Sequence, residues 1–303
     1  MMHFKKRFIR GVIYYGLRIV VYIASGIPMK TGLRISEFLG KLVYYIFKRE
    51  KKKTIRNLKA AFPEKNETEI RSIAIGCFEN LGKGLFELIN LPKLNKDNLN
   101  KIVKIEGEDY VKEALLKGKG FIFVTGHIGN WELMGAVFGI KGYKVNVIAA
   151  PLYDNRINEL LIRQRAVHNV RVILRGSHNI KREIIKALHN NESLSMLIDQ
   201  DTKVPGVFVD FFGRQAYTPL GAASIALRTG SPVLMGFITR QSDNTHKITI
   251  GPTLNLINTG DRESDIRENT LLFTKIIEKQ IRKTPEQWVW MHNRWKKQPE
   301  KHN

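Results

Sequence analysis

The chain has 303 residues, with 50 Lys and Arg against 28 Asp and Glu, a formal net charge of +22. That length supports one sizeable core, and the charge surplus calls for an anionic partner: a lipid headgroup, an acidic protein or nucleic acid. A single cysteine, Cys77, excludes an intramolecular disulfide and fits a reduced compartment, and the Walker A, GxGxxG, HExxH and GxSxG spellings are all absent, which leaves nucleotide use, zinc chemistry and the serine-hydrolase elbow without support.

In chain order, a basic start (Lys5, Lys6, Arg7, Arg10) runs into an apolar, aromatic-rich stretch over 11–29, broken by Arg18. About 16 to 19 of its residues are apolar, against the roughly 20 that span a bilayer squarely. The stretch reads as a membrane anchor, either a marginal single span or a helix lying in the interface; a core helix is the competing reading. It carries no convincing cleavage site for a secretory signal. A second helix has Ile35, Phe38, Leu39, Leu42, Val43, Ile46 and Phe47 on one face and ends in the basic run 48–53. Such a helix docks on anionic bilayers, each basic residue near the headgroups adding about 1 kcal/mol. Charge on the two sides of the first segment gives conflicting topology signals. Pro63 closes this hairpin, and Asn66-x-x-Glu69 is spelled as a capping box opening a long helix to about residue 91. Cys77 falls in that helix's apolar pattern with Ile73, Ala74, Phe78 and Leu81, as core rather than nucleophile.

From residue 101 short apolar runs alternate with helical ones. Strands are expected at 102–105, 121–124, 145–149, 170–174, 194–198, 207–212, 233–238 and 248–250. Amphipathic helices are expected near 109–118, 131–141, 155–168, 178–190, 219–229 and 263–283. This alternation predicts an α/β fold, a mixed and mostly parallel sheet covered by helices, preceded by hydrophobic and amphipathic N-terminal helices. A soft boundary near residue 100 separates 1–100, helices packed on the core, from 101–303, the α/β domain.

The run Gly126-His127-Ile128-Gly129-Asn130-Trp131-Glu132 follows the apolar run 121–124 and precedes a helix with Asn130 as N-cap. His127 therefore sits on a turn at a strand's C-terminal end, where open α/β sheets place chemistry. A histidine followed five positions later by a carboxylate suits a general base held by an orienting acid, Glu132. With 8 His and 28 acidic residues, about one such spacing arises by chance. The second match, His178 with Glu183, has Ser177 as apparent N-cap, so both lie on one helix, roughly 140° apart. That pair makes a poor dyad.

The run at 126–132 resembles the first motif of the lipid A biosynthesis lauroyl/myristoyl acyltransferases, a bacterial branch of the lysophospholipid acyltransferase superfamily. The likeness continues in order through Arg56-Asn57-Leu58 with Phe62-Pro63-Glu64. It runs on through Leu197-Ile198-Asp199-Gln200-Asp201 and the segment 207–213, then Ala216-Tyr217-Thr218 and Gly221. It closes with the segment 285–292 and Arg294-Trp295. The resemblance covers nearly the whole chain and implies a glycerolipid acyltransferase-like domain over 101–303 at the cytoplasmic (inner) membrane, its catalytic face towards the cytoplasm. It implies transfer of a fatty acyl chain from an acyl carrier protein thioester to a hydroxyl of an anionic glycolipid, a lipid A precursor. His127 would be the base and Glu132 its support, with no metal, no cofactor and no nucleic acid. Arg163 and Asp199 are implied as further site residues, with Arg165 a rival for the arginine role. Arg175 resembles the superfamily's glycerophosphate-binding arginine, able to pair bidentately with a phosphate. Thr218-Pro219 reads as an N-cap and first helical residue, offering free N–H groups to an anion or simply capping a helix. Trp288, Trp290 and Trp295 suit either the bilayer interface or the core. The alternative is a lysophospholipid or other glycolipid acyltransferase using acyl-coenzyme A; a nucleic-acid binder lacks any helix-turn-helix or RNP-type signature.

Overall fold

The computed structural model describes residues 2–299, with side chains from residue 9 onward; Met1, residues 300–303 and the side chains of Lys5, Lys6 and Arg7 lie outside the described residues. Four helices open the chain: α1 (Met2–Gly26), α2 (Met29–Ile46), α3 (Lys48–Ala61) and α4 (Glu67–Asn90). The basic run 48–53 opens α3 and does not end α2, as the sequence had implied. The break falls at Phe47, whose N–H closes α2 on the Val43 carbonyl and whose carbonyl accepts the Lys51 N–H. No Gly or Pro marks it. The capping box forms as spelled: Asn66 Oδ1 accepts the Glu69 N–H, and Glu69 Oε2 accepts the Asn66 N–H, each at 3.0 Å. Cys77 is fully buried, donates to the Trp288 carbonyl at 3.0 Å, and has its thiol pushed up to about 12 by burial.

Among the described residues no helix is long and apolar enough to cross a membrane. The single-span reading of 11–29 therefore falls. What α1 and α2 do present is exposed apolar surface, including Ile13, Val20 and Ile23 on α1 and Phe38, Leu39, Leu42 and Ile46 on α2.

After a short 3-10 turn (Leu91–Lys93) and α5 (Lys96–Ile102), strands and helices alternate: β1 (Val103–Glu106), α6 (Glu108–Leu116), β2 (Phe121–Thr125), α7 (Trp131–Ile140), β3 (Val145–Ala149), α8 (Asn155–Ala166), β4 (Val170–Leu174), α9 (Ile180–His189) and β5 (Ser193–Leu197). Then come β6 (Gly206–Phe211), β7 (Arg214–Pro219), α10 (Gly221–Thr229), β8 (Val233–Arg240), β9 (His246–Ile250), α11 (Arg262–Lys283) and a last 3-10 turn (Pro285–Gln287). Seven strands form one sheet in the order β1-β9-β8-β2-β5-β3-β4, parallel throughout except for the antiparallel pair β8–β9. This is the expected α/β class.

The strand at β2 is buried along its whole length because both sheet faces are covered. Alternation sends Ile122 and Val124 into one core, with α4, α10 and α11, and Phe121 and Phe123 into the other, with α6 and α7.

The expected strand at 207–212 does not join this sheet. It pairs with β7 as a separate two-stranded antiparallel hairpin. Thr218 and Pro219 consequently end a strand, and α10 is preceded by Leu220, so Thr218 is not a helix N-cap. Ser177 is not one either: α9 is capped at Asn179, His178 precedes it, and Glu183 bonds Arg171 at 2.8 Å.

Candidate active site

Register explains which side chains meet. In the parallel pair β2–β5, Thr125 and Leu197 are Cα partners at the strands' C-terminal ends. Two residues beyond each lie His127 and Asp199, so the two chains leave the sheet with these residues side by side. His127 Nδ1 is 2.7 Å from Asp199 Oδ1, and the His127 backbone N–H donates to Asp199 Oδ2, also at 2.7 Å. Trp288 Nε1 donates to the same Oδ2 at 2.7 Å. Burial alone would raise the Asp199 carboxyl. The His127 imidazole beside it and the bonds from His127, Trp288 and the His127 backbone outweigh burial and hold it well below the usual carboxylate range.

This corrects the expected dyad. Glu132 stands in the first turn of α7, but its carboxylate takes a bidentate pair of bonds from Arg165, Nη2 to Oε1 at 2.6 Å and Nε to Oε2 at 2.9 Å. The acid on the imidazole is Asp199, which had been expected only as a further site residue. The motif spacing pointed at Glu132 because it is local. Asp199 is 72 residues away, and only the strand pairing brings it in.

The turn holding His127 is built for close approach. A Cβ on Gly126 would lie 3.0 Å from Asp199 Oδ2. Gly129 adopts φ +59°, and a Cβ there would lie 2.2 Å from the Ile238 carbonyl oxygen. The C-terminal signature pins the same turn from outside: Gly129 N–H donates to the Gln287 carbonyl at 2.9 Å, and Ile128 bridges Trp288. Trp288 and Trp290 stack edge to face with centroids 4.6 Å apart, and both are buried, as is Trp295. These tryptophans are core, not bilayer-interface residues.

A second support was not legible in the sequence. Asn130 caps α7 by accepting the Leu133 N–H at 3.0 Å, and its Nδ2 donates to Glu87 Oε2 at 2.7 Å. Glu87, on α4, also receives Arg240 Nη2 at 2.8 Å and lies 2.9 Å from His246 Nε2. Burial opposes its charge, yet His246 and Arg240 outweigh burial and lower the carboxyl to about 2. In sequence, Glu87 is one more acidic residue in a long helix.

His127 faces a cavity of about 320 Å³ whose lining includes the apolar side chains of Phe123, Met134, Phe138 and Val147. Glu132, Arg165 and Arg175 line the same space. Arg163 does not. It is exposed on α8 and lies 3.7 Å from Glu159, so of the two rivals Arg165 is the arginine at the site. Thr218 is buried, and its hydroxyl accepts a hydrogen bond from Arg294. Geometrically, the site offers an imidazole oriented through Nδ1 by a buried carboxylate, with Nε2 left for chemistry, beside a cavity whose lining mixes apolar side chains with two guanidinium groups.

The model of the bacterial lipid A biosynthesis acyltransferases matches residues 1–297. The chain belongs to that family. The acyltransferase is 27% identical to a lipid A biosynthesis lauroyltransferase of Escherichia coli over 93% of this chain and 90% of that one. To a lipid A biosynthesis palmitoleoyltransferase of the same organism it is 25% identical, covering 94% and 91%. A phosphatidylinositol mannoside acyltransferase of Mycobacterium tuberculosis is 28% identical over about half of each chain, 52% and 51%.

Proposed function

We propose that this acyltransferase moves a fatty acyl chain from an acyl carrier protein thioester to a hydroxyl of an anionic, lipid A-type glycolipid, working at the cytoplasmic face of the inner membrane. The observation that carries the reading is the imidazole of His127, fixed by buried Asp199 and facing a cavity that combines apolar side chains such as Phe123, Met134, Phe138 and Val147 with Arg165 and Arg175. An acyl chain is the substrate part that the apolar side chains suit, and about 320 Å³ is within the range of ligand pockets.

The chemistry needs no enzyme nucleophile, because the thioester is already activated. His127 Nε2 takes the proton of the acceptor hydroxyl as that oxygen attacks the thioester carbonyl carbon. The tetrahedral adduct then collapses, the C–S bond breaks, and the leaving thiolate takes the proton back from the imidazolium. An ester and a free thiol result. Asp199 keeps Nδ1 protonated, so that Nε2 is the basic nitrogen, and stabilises the imidazolium that forms. Glu132 supports the site through Arg165, whose planar fork it holds in place. Arg175 is the candidate for an acceptor phosphate. The exposed apolar faces of α1 and α2 lie in the bilayer interface, and the basic surplus serves both an anionic lipid and an acidic carrier protein.

The test incubates purified enzyme with a lipid IVA-type acceptor and either acyl carrier protein or coenzyme A thioesters, reading the added acyl mass. The carrier-protein donor is expected to be the faster one. His127→Ala should be slower by about 10²-fold or more. A near-normal rate in that variant would remove His127 as the base, and preference for coenzyme A would overturn the donor assignment.

A further inference from the structure

The fold brings the signature at 56–58 and the end of the C-terminal one together at a second cavity, apart from the one at His127. Arg56 and Asn57 on α3, Arg214 at the start of β7, and Asn293, Trp295 and Lys296 enclose about 450 Å³. None of the six lines the cavity at His127.

The place is built, not incidental. Asn57 is buried and donates through Nδ2 to the Trp290 and His292 carbonyls, both at 2.8 Å, which locks α3 to the C-terminal segment. Arg56 reaches Asn293 Oδ1 at 3.4 Å, and the Arg214 guanidinium lies 5.0 Å over the Trp295 ring. Two of the three cations are therefore held by neutral partners, and among the described residues no carboxylate lines the cavity to neutralise them. Some basic groups elsewhere are paired with acids, as Lys59 is with Glu67, Lys65 with Glu69 and Arg282 with Glu278. Here three convergent positive charges surround a polar space.

We infer that this cavity binds a phosphate group. Guanidinium pairs match phosphate oxygens bidentately, and a lysine adds a point charge. The volume exceeds what a bare phosphate fills, leaving room for what carries it. The position favours a lipid headgroup: α3 follows directly on α2, whose Phe38, Leu39, Leu42 and Ile46 are exposed, and Arg56 is nine residues, about 14 Å of helix, beyond Phe47. This site goes beyond the acyl-transfer reading and does not depend on it.

The experiment follows thermal unfolding of the full chain while inorganic phosphate is titrated against chloride at fixed ionic strength. A second arm measures sedimentation with phosphatidylcholine vesicles with and without phosphatidic acid. Phosphate should raise Tm of the unmodified chain by a few degrees near saturation, as ligand linkage requires. Arg56→Gln with Arg214→Gln should abolish that rise. Lys48→Ala with Lys52→Ala removes the same charge from exposed positions outside the cavity and should leave it intact. No rise in the unmodified chain, an equal rise in the arginine variant, or equal loss in both variants overturns the proposal. Where the site stands, the vesicles identify the source. Threefold or greater loss of phosphatidic-acid binding in the arginine variant beyond that in the lysine variant assigns a lipid headgroup; no difference assigns a soluble phosphate.

Discussion

At the residue scale, His127 and Glu132 share a motif but not a contact, and the two carboxylates near the cavity carry different predictions. Asp199→Asn leaves the shape of the side chain but removes the charge that supports the imidazolium and fixes its tautomer. Turnover should drop by roughly 10²- to 10⁴-fold with KM little changed, measured in the acyl-mass assay. Glu132 acts through Arg165, so Glu132→Gln, Arg165→Gln and the double variant should form a non-additive cycle, the double no slower than the slower single. Full additivity would mean that the two side chains work separately and would sink that pairing. The place of His127 between a strand end and a helix start was legible, because an apolar run followed by Gly-His and an N-cap is a local pattern. Its partner was not, since pairing β2 with β5 is a property of the sheet. Arg165 over Arg163 was likewise undecidable from spelling, because both sit on the same helix and only packing turns one inward.

The elements show the same division. Caps, apolar periodicity and turn residues located most helices with their ends slightly displaced, and the strands β3 and β4 with their observed bounds. The break at Phe47 had no Gly or Pro to announce it. The hairpin β6–β7 was half missed, because Arg214-Gln215-Ala216-Tyr217 lacks the apolar alternation of a sheet strand and Thr218-Pro219 imitates a helix start. What positions His127 is the turn between β2 and α7, clamped by Gln287 and Asn130. Gly129→Ala tests that clamp. It places a Cβ at φ +59° against the Ile238 carbonyl, costing on the order of 1–3 kcal/mol for the backbone conformation before any clash is relieved. The expected result is a lower denaturation midpoint together with activity lost well beyond the unfolded fraction. Wild-type activity in a destabilised but folded Gly129→Ala protein would show that the turn's position is immaterial.

At the scale of the whole molecule, one buried carboxylate ties α4 to the sheet and another joins the strand ends, and this sets the response to acid. Glu87 links α4 to Arg240, His246 and Asn130, while Asp199 links the ends of β2 and β5 with Trp288. Both carboxyls titrate lower in the folded chain than in the unfolded one. The unfolded state therefore binds more protons in acid, so their stabilisation is complete above about pH 4.5 and is lost as pH falls. For Glu87 the loss runs from its ordinary value of 4.5 down to about 2 and amounts to on the order of 3 kcal/mol. Urea midpoints measured between pH 6 and pH 2.5 should fall steeply below pH 4.5. Glu87→Gln should be less stable at pH 6, because Arg240 loses its buried counter-charge, and its midpoint should vary less with pH over the acid range. A variant whose midpoint kept the full wild-type slope would show that Glu87 is not a carboxylate on which the acid stability of this fold depends.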